Sequence, residues 1–289
     1  MLNKILSFLV ASVFVSHLFL TDNALAFKLS GVSPSQPASY CLYEIYNLRL
    51  NSGQKRFQDK VISDCRKAYM SYFDTEARIP LVVYYKVDKN KVLGCAKRAE
   101  SFRANPYINS SVDPSIYKKS GFDKGHMAPS SDMAWSLEIE EESYLTTNIV
   151  PQLPNFNRGL WRSLESAIRN HIITSNEDFI VIVGSLYNKE SKLLKNKVVI
   201  PDAFFKILIN EDKKTIRAWK IQHKAFLEEV VEEHSLNNYR VTINDLQRNI
   251  YELQGYRLAI PPTYQEEGLM VGLQGSTSFY NKTKQQKCH

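Results

Sequence analysis

A chain of 289 residues with 44% hydrophobic and 23% charged content and a formal net charge of +7 can bury a sizeable core, and this composition excludes a disordered, collagen-like or low-complexity protein. The positive balance favours polyanionic partners such as nucleic acid, anionic lipid or acidic polysaccharide, though many basic proteins merely carry solvated lysines. No stretch beyond residue 26 is long and apolar enough to cross a membrane as a helix.

At the N-terminus, Lys4 precedes an apolar run over 5–20, and Ala24-Leu25-Ala26 follows with a small-x-small pattern. This predicts a secretory signal peptide with Phe27 as the first mature residue, and hence a secreted or periplasmic protein. An uncleaved anchor would need a longer run. Lys4 and Asp22 cancel, so cleavage leaves the net charge unchanged. Export matters for Cys41, Cys65, Cys95 and Cys288. An even number with no C-x-x-C pair favours disulfides over a zinc site. Four cysteines allow three pairings, and the sequence does not choose among them. Our working assignment is Cys41 with Cys65, both N-terminal, and Cys95 with Cys288, tying the tail to the body.

Residues 27–39, rich in Ser and Pro, form a loose leader, and 40–50 and 57–69 carry apolar residues at partly helical spacing. The Val- and Tyr-rich run 80–87 predicts the first strand, and 104–122 a loop. Leu160, Trp161, Leu164, Ile168 and Ile172 make one apolar stripe, which predicts a helix over 157–172. Strands follow at 179–183, 198–209 and 216–221, the last two joined by a hairpin loop at 210–214. Helices are expected over 225–233 and over 243–254, the second capped by Thr242 and stopped by Gly255. From Pro261 the tail is polar and ends lysine-rich. Strands and helices mix without regular βαβ alternation, so the fold class is α+β: a mixed, largely antiparallel sheet with flanking helices. The segments are a signal at 1–26, an extension at 27–60, the main domain at 61–262 and a tail at 263–289.

The chemistry centres on His126, in Gly121-Phe122-Asp123-Lys124-Gly125-His126. Imidazole can take a proton from water near neutral pH. Flanking glycines suit a sharp turn or the close approach of a ligand. Alone, a histidine in a polar loop is more often just exposed. Downstream, however, runs Thr147-Asn148-Ile149-Val150-Pro151-Gln152, then Asn157, Trp161, Glu165 and Arg169. Each has an ordinary reading when isolated. Asn157 could cap a helix, Glu165 and Arg169 could be a surface i,i+4 pair, and Trp161 could be core. Together and in register, the two segments resemble the DNA/RNA non-specific endonuclease family, whose active-site motif is of the ββα-metal type. Asn148 to Asn157 is nine residues, Asn157 to Glu165 eight, and Glu165 to Arg169 four. A weaker likeness extends to 72–87, 200–206 and the segment ending at Gly255.

The resemblance implies a metal-dependent hydrolase of DNA and RNA phosphodiesters. It makes His126 the general base and Asn157 the sole protein ligand of Mg²⁺, for which Mn²⁺ may stand in. Glu165 would hold metal-bound water, and Arg169 and Lys124 would stabilise phosphate charge. Asn148 would support the site and Asp123 would steady a neighbouring group. Magnesium keeps several waters and often takes one or two protein oxygens, so a lone amide beside a carboxylate suits it. Two departures stand out. The family's arginine before Gly-His is Lys124 here, which loses the planar fork. The upstream arginine that meets substrate is either Arg98 or Arg103, with Arg98 favoured. Members of the family are often dimers, so a homodimer is an open expectation. A catalytically degenerate binding protein and a phosphodiesterase acting on small esters are the other two readings.

Overall fold

The longest described strand of the fold has nine residues, and all but one of them are buried. Tyr85 of this strand points to one face, where its hydroxyl donates to Asp132 at 2.9 Å. Tyr84 points to the other and meets the ring of Tyr72 edge-on, with centroids 5.7 Å apart. A strand covered on both faces becomes a continuous apolar run rather than an alternating one. In the computed structural model, residues 50–52, 60–99, 101–225, 236–268 and 277–288 are described.

The strands are β1 (Leu50–Ser52), β2 (Val61–Cys65), β3 (Tyr69–Asp74), β4 (Ile79–Val87), β5 (Asp123–His126), β6 (Ile149–Gln152), β7 (Phe179–Leu186), β8 (Leu193–Leu194), β9 (Val198–Val199), β10 (Ala203–Asn210), β11 (Thr215–Gln222), β12 (Arg240–Val241), β13 (Tyr256–Leu258) and β14 (Gln265–Glu266). The helices are α1 (Lys89–Val92), α2 (Ser130–Met133), α3 (Leu137–Glu142), α4 (Arg162–Ser175), α5 (Ile243–Gln254) and α6 (Thr277–Cys288). Eight strands form the main sheet in the order β12-β11-β10-β7-β4-β3-β2, with β14 beside β11. Every pairing along that path is antiparallel, and β14 alone runs parallel to its neighbour. The fold is therefore α+β with a largely antiparallel sheet. Buried Leu164, Ile168 and Ile172 of α4 lie on the expected stripe.

Thr242 caps α5 by accepting from the Asp245 amide at 3.0 Å, and Gly255 ends it at φ 74°. That left-handed conformation suits glycine because it has no Cβ to clash. Gly184 lies mid-strand in β7, directly opposite Phe205. A Cβ at Gly184 would come within 2.0 Å of the Phe205 ring, so the strand continues past the glycine only because the ring fills its place.

Several expectations need correction. The span 57–69 is not helical where it is described: β2 and the turn into β3 occupy it, because edge pairing outweighs the weak helical spacing. The single strand expected at 198–209 is two strands, β9 and β10. Pro201 falls between them, and its ring nitrogen cannot donate to a ladder. The polar tail past Pro261 holds β14 and α6. Most of the helix expected at 225–233 lies outside the described residues.

The tail is fastened to the body. Cys95 and Cys288 form a disulfide across a sequence separation of 193, with Cα atoms 5.6 Å apart. Cys65 is also disulfide-bonded, and Cys41, its expected partner, lies outside the described residues. Closing so long a loop restricts the unfolded chain. We predict that Cys288→Ser lowers the unfolding free energy by about 2–5 kcal/mol, measured by urea denaturation without reductant. An unchanged midpoint would refute a stabilising role for this bridge.

Candidate active site

The arm that carries His126 is a two-stranded unit, β5 against β6, with Asp123 opposite Gln152, Lys124 opposite Pro151, Gly125 opposite Val150 and His126 opposite Ile149. Alternation puts Lys124 and His126 on one face and Asp123 and Gly125 on the other. The Gln152 side chain crosses over Gly125, and a Cβ there would stand 2.1 Å from its Oε1. The histidine is preceded by glycine because any other residue would collide with this side chain. Asn148 secures the turn beyond. Its Oδ1 accepts from the Ala128 amide at 2.8 Å, and its Nδ2 donates to the carbonyls of Ala128 at 2.9 Å and Ser143 at 2.8 Å. Fully buried and committed to backbone, Asn148 positions the arm.

His126 lies between two rings, with centroid distances of 5.3 Å to Phe102 and 4.8 Å to Tyr144. Its Nε2 is buried and has no hydrogen-bond partner among the described residues. Burial, and then the nearby Arg98 cation, disfavour imidazolium and push the His126 pKa down to about 3. The ring is therefore neutral, with an accepting nitrogen that no protein group claims. Lys124 reaches across the same face, its ammonium 4.8 Å from the Phe102 centroid. Arg98 is exposed and donates from Nε to the Tyr144 hydroxyl at 2.6 Å. Arg103 acts on the same segment through its backbone, exchanging bonds with Tyr144 and Thr146. Of the two arginines, Arg98 is the one whose charge acts on His126.

Asn157 departs from the regular helix expected for it. The chain over Phe156–Trp161 is helical but kinked at Gly159 (φ −98°, ψ −113°) before α4 begins. The Asn157 side chain caps no helix. Its Nδ2 donates to Asp123 Oδ2 at 2.9 Å, and Arg158 holds the same carboxylate with bonds of 2.8 and 2.6 Å. Anchoring the nitrogen to Asp123 leaves Oδ1 as the free, ligand-capable atom.

Glu165 and Arg169 each take a different partner. Glu165 accepts from the Lys206 ammonium at 3.3 Å, and that ammonium also lies 4.7 Å from the Trp161 centroid. Arg169 donates to Asp132 at 2.9 Å and sits 4.7 Å beneath the ring of Tyr280 from α6. It is only 4% exposed. Direct phosphate contact by Arg169 therefore does not follow from its placement; its guanidinium serves the protein. Burial pulls the Arg169 pKa down, but Asp132 and then Glu165 outweigh it and hold it above the ordinary value. For Lys206 burial wins, and its pKa falls below the ordinary value despite Glu165.

Lys206, Tyr144, Phe102, Asp132 and His223 escaped the sequence reading. Lys206 carried a signal, being a lysine within the apolar run Ala203–Asn210, all of which is buried. His223 lies among Phe156, Phe204 and Phe122. Its Nδ1 faces the Pro201 carbonyl at 2.7 Å, and its Nε2 accepts from the Leu153 amide at 2.8 Å. It thus pins the segment leading to Asn157.

Among the described residues no group of three or more His, Cys, Asp or Glu could hold a metal. This excludes a preformed cage there. It leaves the donor set that a strongly hydrated cation uses, one free amide oxygen with a carboxylate on the following helix. That set fits a magnesium-type ion and does not fit zinc.

A family model described as DNA/RNA non-specific endonuclease matches residues 51–259. A nuclease of Nostoc sp. is 32% identical over 175 residues, 57% of this chain and 61% of that protein. Human mitochondrial endonuclease G is 29% identical over 160 residues, 50% of this chain and 54% of that protein. Human mitochondrial nuclease EXOG is 24% identical over 237 residues, 76% of this chain and 62% of that protein. The matches thus span under two thirds of these relatives' lengths. A chain in the crystal structure of the EndoG/EndoGI complex superposes with a TM-score of 0.55 at 20% identity, covering 65% of this chain and 82% of that one, and shares the fold.

His223 yields a test of the scaffold. Burial lowers its pKa below the ordinary 6.5. A folded-state pKa that is depressed gives stability present above 6.5 and lost as pH falls toward the folded value. Urea unfolding at pH 7 and pH 5 is expected to show a smaller acid loss in His223→Ala than in the unsubstituted protein. Equal losses would rule this role out.

Proposed function

Because the chain belongs to the DNA/RNA non-specific endonuclease family, we propose that it is a metal-dependent endonuclease that hydrolyses DNA and RNA phosphodiesters with little sequence preference. The observation that carries this reading is the unclaimed, buried Nε2 of His126 on the same strand face as Lys124. His126 accepts the proton of the attacking water. An imidazole of pKa about 3 is a feeble base, but a phosphate anion brought beside it favours imidazolium and raises that value toward the working range.

Lys124 and Arg98 place positive charge where the phosphate gains negative charge. Lysine does this as a point charge, without the two-pronged grip of arginine. Asn157 offers Oδ1 to a magnesium or manganese ion, which when bound neutralises phosphate charge and eases departure of the leaving oxygen. Asp123 sets the orientation of Asn157. Glu165 accepts from water beside Asn157, and Lys206 fixes the direction in which it does so. Arg169 acts at one remove, holding Asp132 and adding positive charge near Glu165. Secretion or periplasmic residence is part of this proposal, supported by the leader pattern from Lys4 to Ala26 and by the Cys95–Cys288 bridge.

The mature protein is expected to cut plasmid DNA and RNA in magnesium buffer and to stop in EDTA. His126→Ala should lose about 10²–10⁴-fold in kcat, the usual worth of a general base. Cleavage that survives EDTA, or full activity in His126→Ala, would overturn the mechanism. Lys206→Met, which removes the partner of Glu165, should reduce activity about 10–100-fold, as losses of supporting groups around a metal do. Unaltered metal titration and rate in a folded Lys206→Met protein would show that Lys206 has no positioning role.

A further inference from the structure

Beside β5 lies a groove of whose lining the roles above use only Asp123 and Lys124. It has a volume of about 400 Å³ and lies between Pro114, Ser115 and Lys118 on one side and Phe122, Asp123 and Lys124 on the other. Pro114–Tyr117 is a short 3₁₀ turn, so the groove separates that turn from the strand that carries His126. A third lysine joins from afar in sequence: the Lys195 ammonium donates to the Lys118 carbonyl at 2.9 Å. Lys118, Lys124 and Lys195 have no carboxylate partner among the described residues.

The two carboxylates close at hand are already engaged. Asp113 accepts from the Ser115 amide at 2.8 Å, and Asp123 is held by Asn157 and Arg158. Lys118 and Lys124 line the groove, Lys195 is held at the Lys118 backbone, and lysines placed in this way attract a polyanion. An apolar wall completes it, since the half-buried ring of Phe122 backs onto His223 with centroids 6.3 Å apart.

We propose that this groove binds the nucleotide unit next to the scissile phosphate. Lys118 and Lys195 hold its phosphate, and Phe122 packs against its base or sugar. The inference rests on the nuclease reading and adds a subsite to it. A volume of about 400 Å³ sits at the small end of ligand pockets and suits one nucleotide rather than a duplex. A ring face and ammonium groups recognise any base, so the subsite gives affinity without sequence choice. Lys124 marks the junction, lining the groove while facing the same side as His126.

The test uses Lys118→Glu, an exposed substitution, and a single-stranded DNA 8-mer. In cleavage, the KM for the 8-mer should rise about five-fold or more, the size of one lost charge contact, with the loss carried by KM rather than kcat. In binding, the 8-mer labelled with fluorescein is titrated into His126→Ala with and without Lys118→Glu over a salt series. The slope of log K against log salt should fall by about 0.7, the value for one phosphate contact on a single strand. An unchanged KM and slope would overturn the groove. Absence of any cleavage by the unsubstituted protein would instead overturn the nuclease reading, and the binding arm would still decide whether Lys118 meets a phosphate.

Discussion

The whole site hangs on the side chain of Asn148. One amide group bonds both the N–H and the C=O of Ala128 and also reaches the Ser143 carbonyl. It closes the turn that follows His126 and joins that turn to the start of β6. Buried amides left unpaired are costly, so these three bonds form together or the turn does not form. With the turn set, the β5–β6 register follows, and with it the face on which His126 and Lys124 stand. Gly125 makes the register possible by yielding its side-chain space to Gln152. Asp123 then extends the same order outward, holding Asn157 by its nitrogen.

A second constraint acts from beneath. Two cations and two carboxylates, Arg169, Lys206, Asp132 and Glu165, meet between the sheet and α4. Burying any one of them alone would be prohibitive, but the set is balanced and hydrogen-bonded. Tyr85 of β4 adds a donor to Asp132, and Tyr280 of α6 covers Arg169. The C-terminal helix is thus the lid of this charge cluster. The Cys95–Cys288 bridge joins it to the segment that runs on to Arg98 and Phe102, the residues bordering His126.

Much of this was legible in the chain. The helix capped by Thr242 and stopped by Gly255 needed only local rules, and so did the hairpin across 210–214, because each depends on residues close in sequence. The paired motifs around His126 and Asn157 were equally visible, their spacing being a property of the chain itself. The kink at Gly159 was not, because a glycine within an apolar stripe permits a break without demanding one. The first strands were misread for a related reason: β2 is a strand because β3 lies beside it.

The sequence by itself determined the α+β class, the family to which the chain belongs and the residues around which the site is built, since motif, capping and periodicity are local. Only the tertiary structure decided what those residues touch. It buries Arg169 against Asp132 and Tyr280, and it commits the Asn148 side chain to the backbone of Ala128 and Ser143. It also brought in Lys206, Phe102, Tyr144 and His223. The reason is physical: these roles depend on burial and on partners tens of residues away, such as the 41 that separate Glu165 from Lys206. No local pattern encodes such a distance. His126, unremarkable as a lone histidine in a polar loop, gains its character from two rings and an arginine that the fold carries to it.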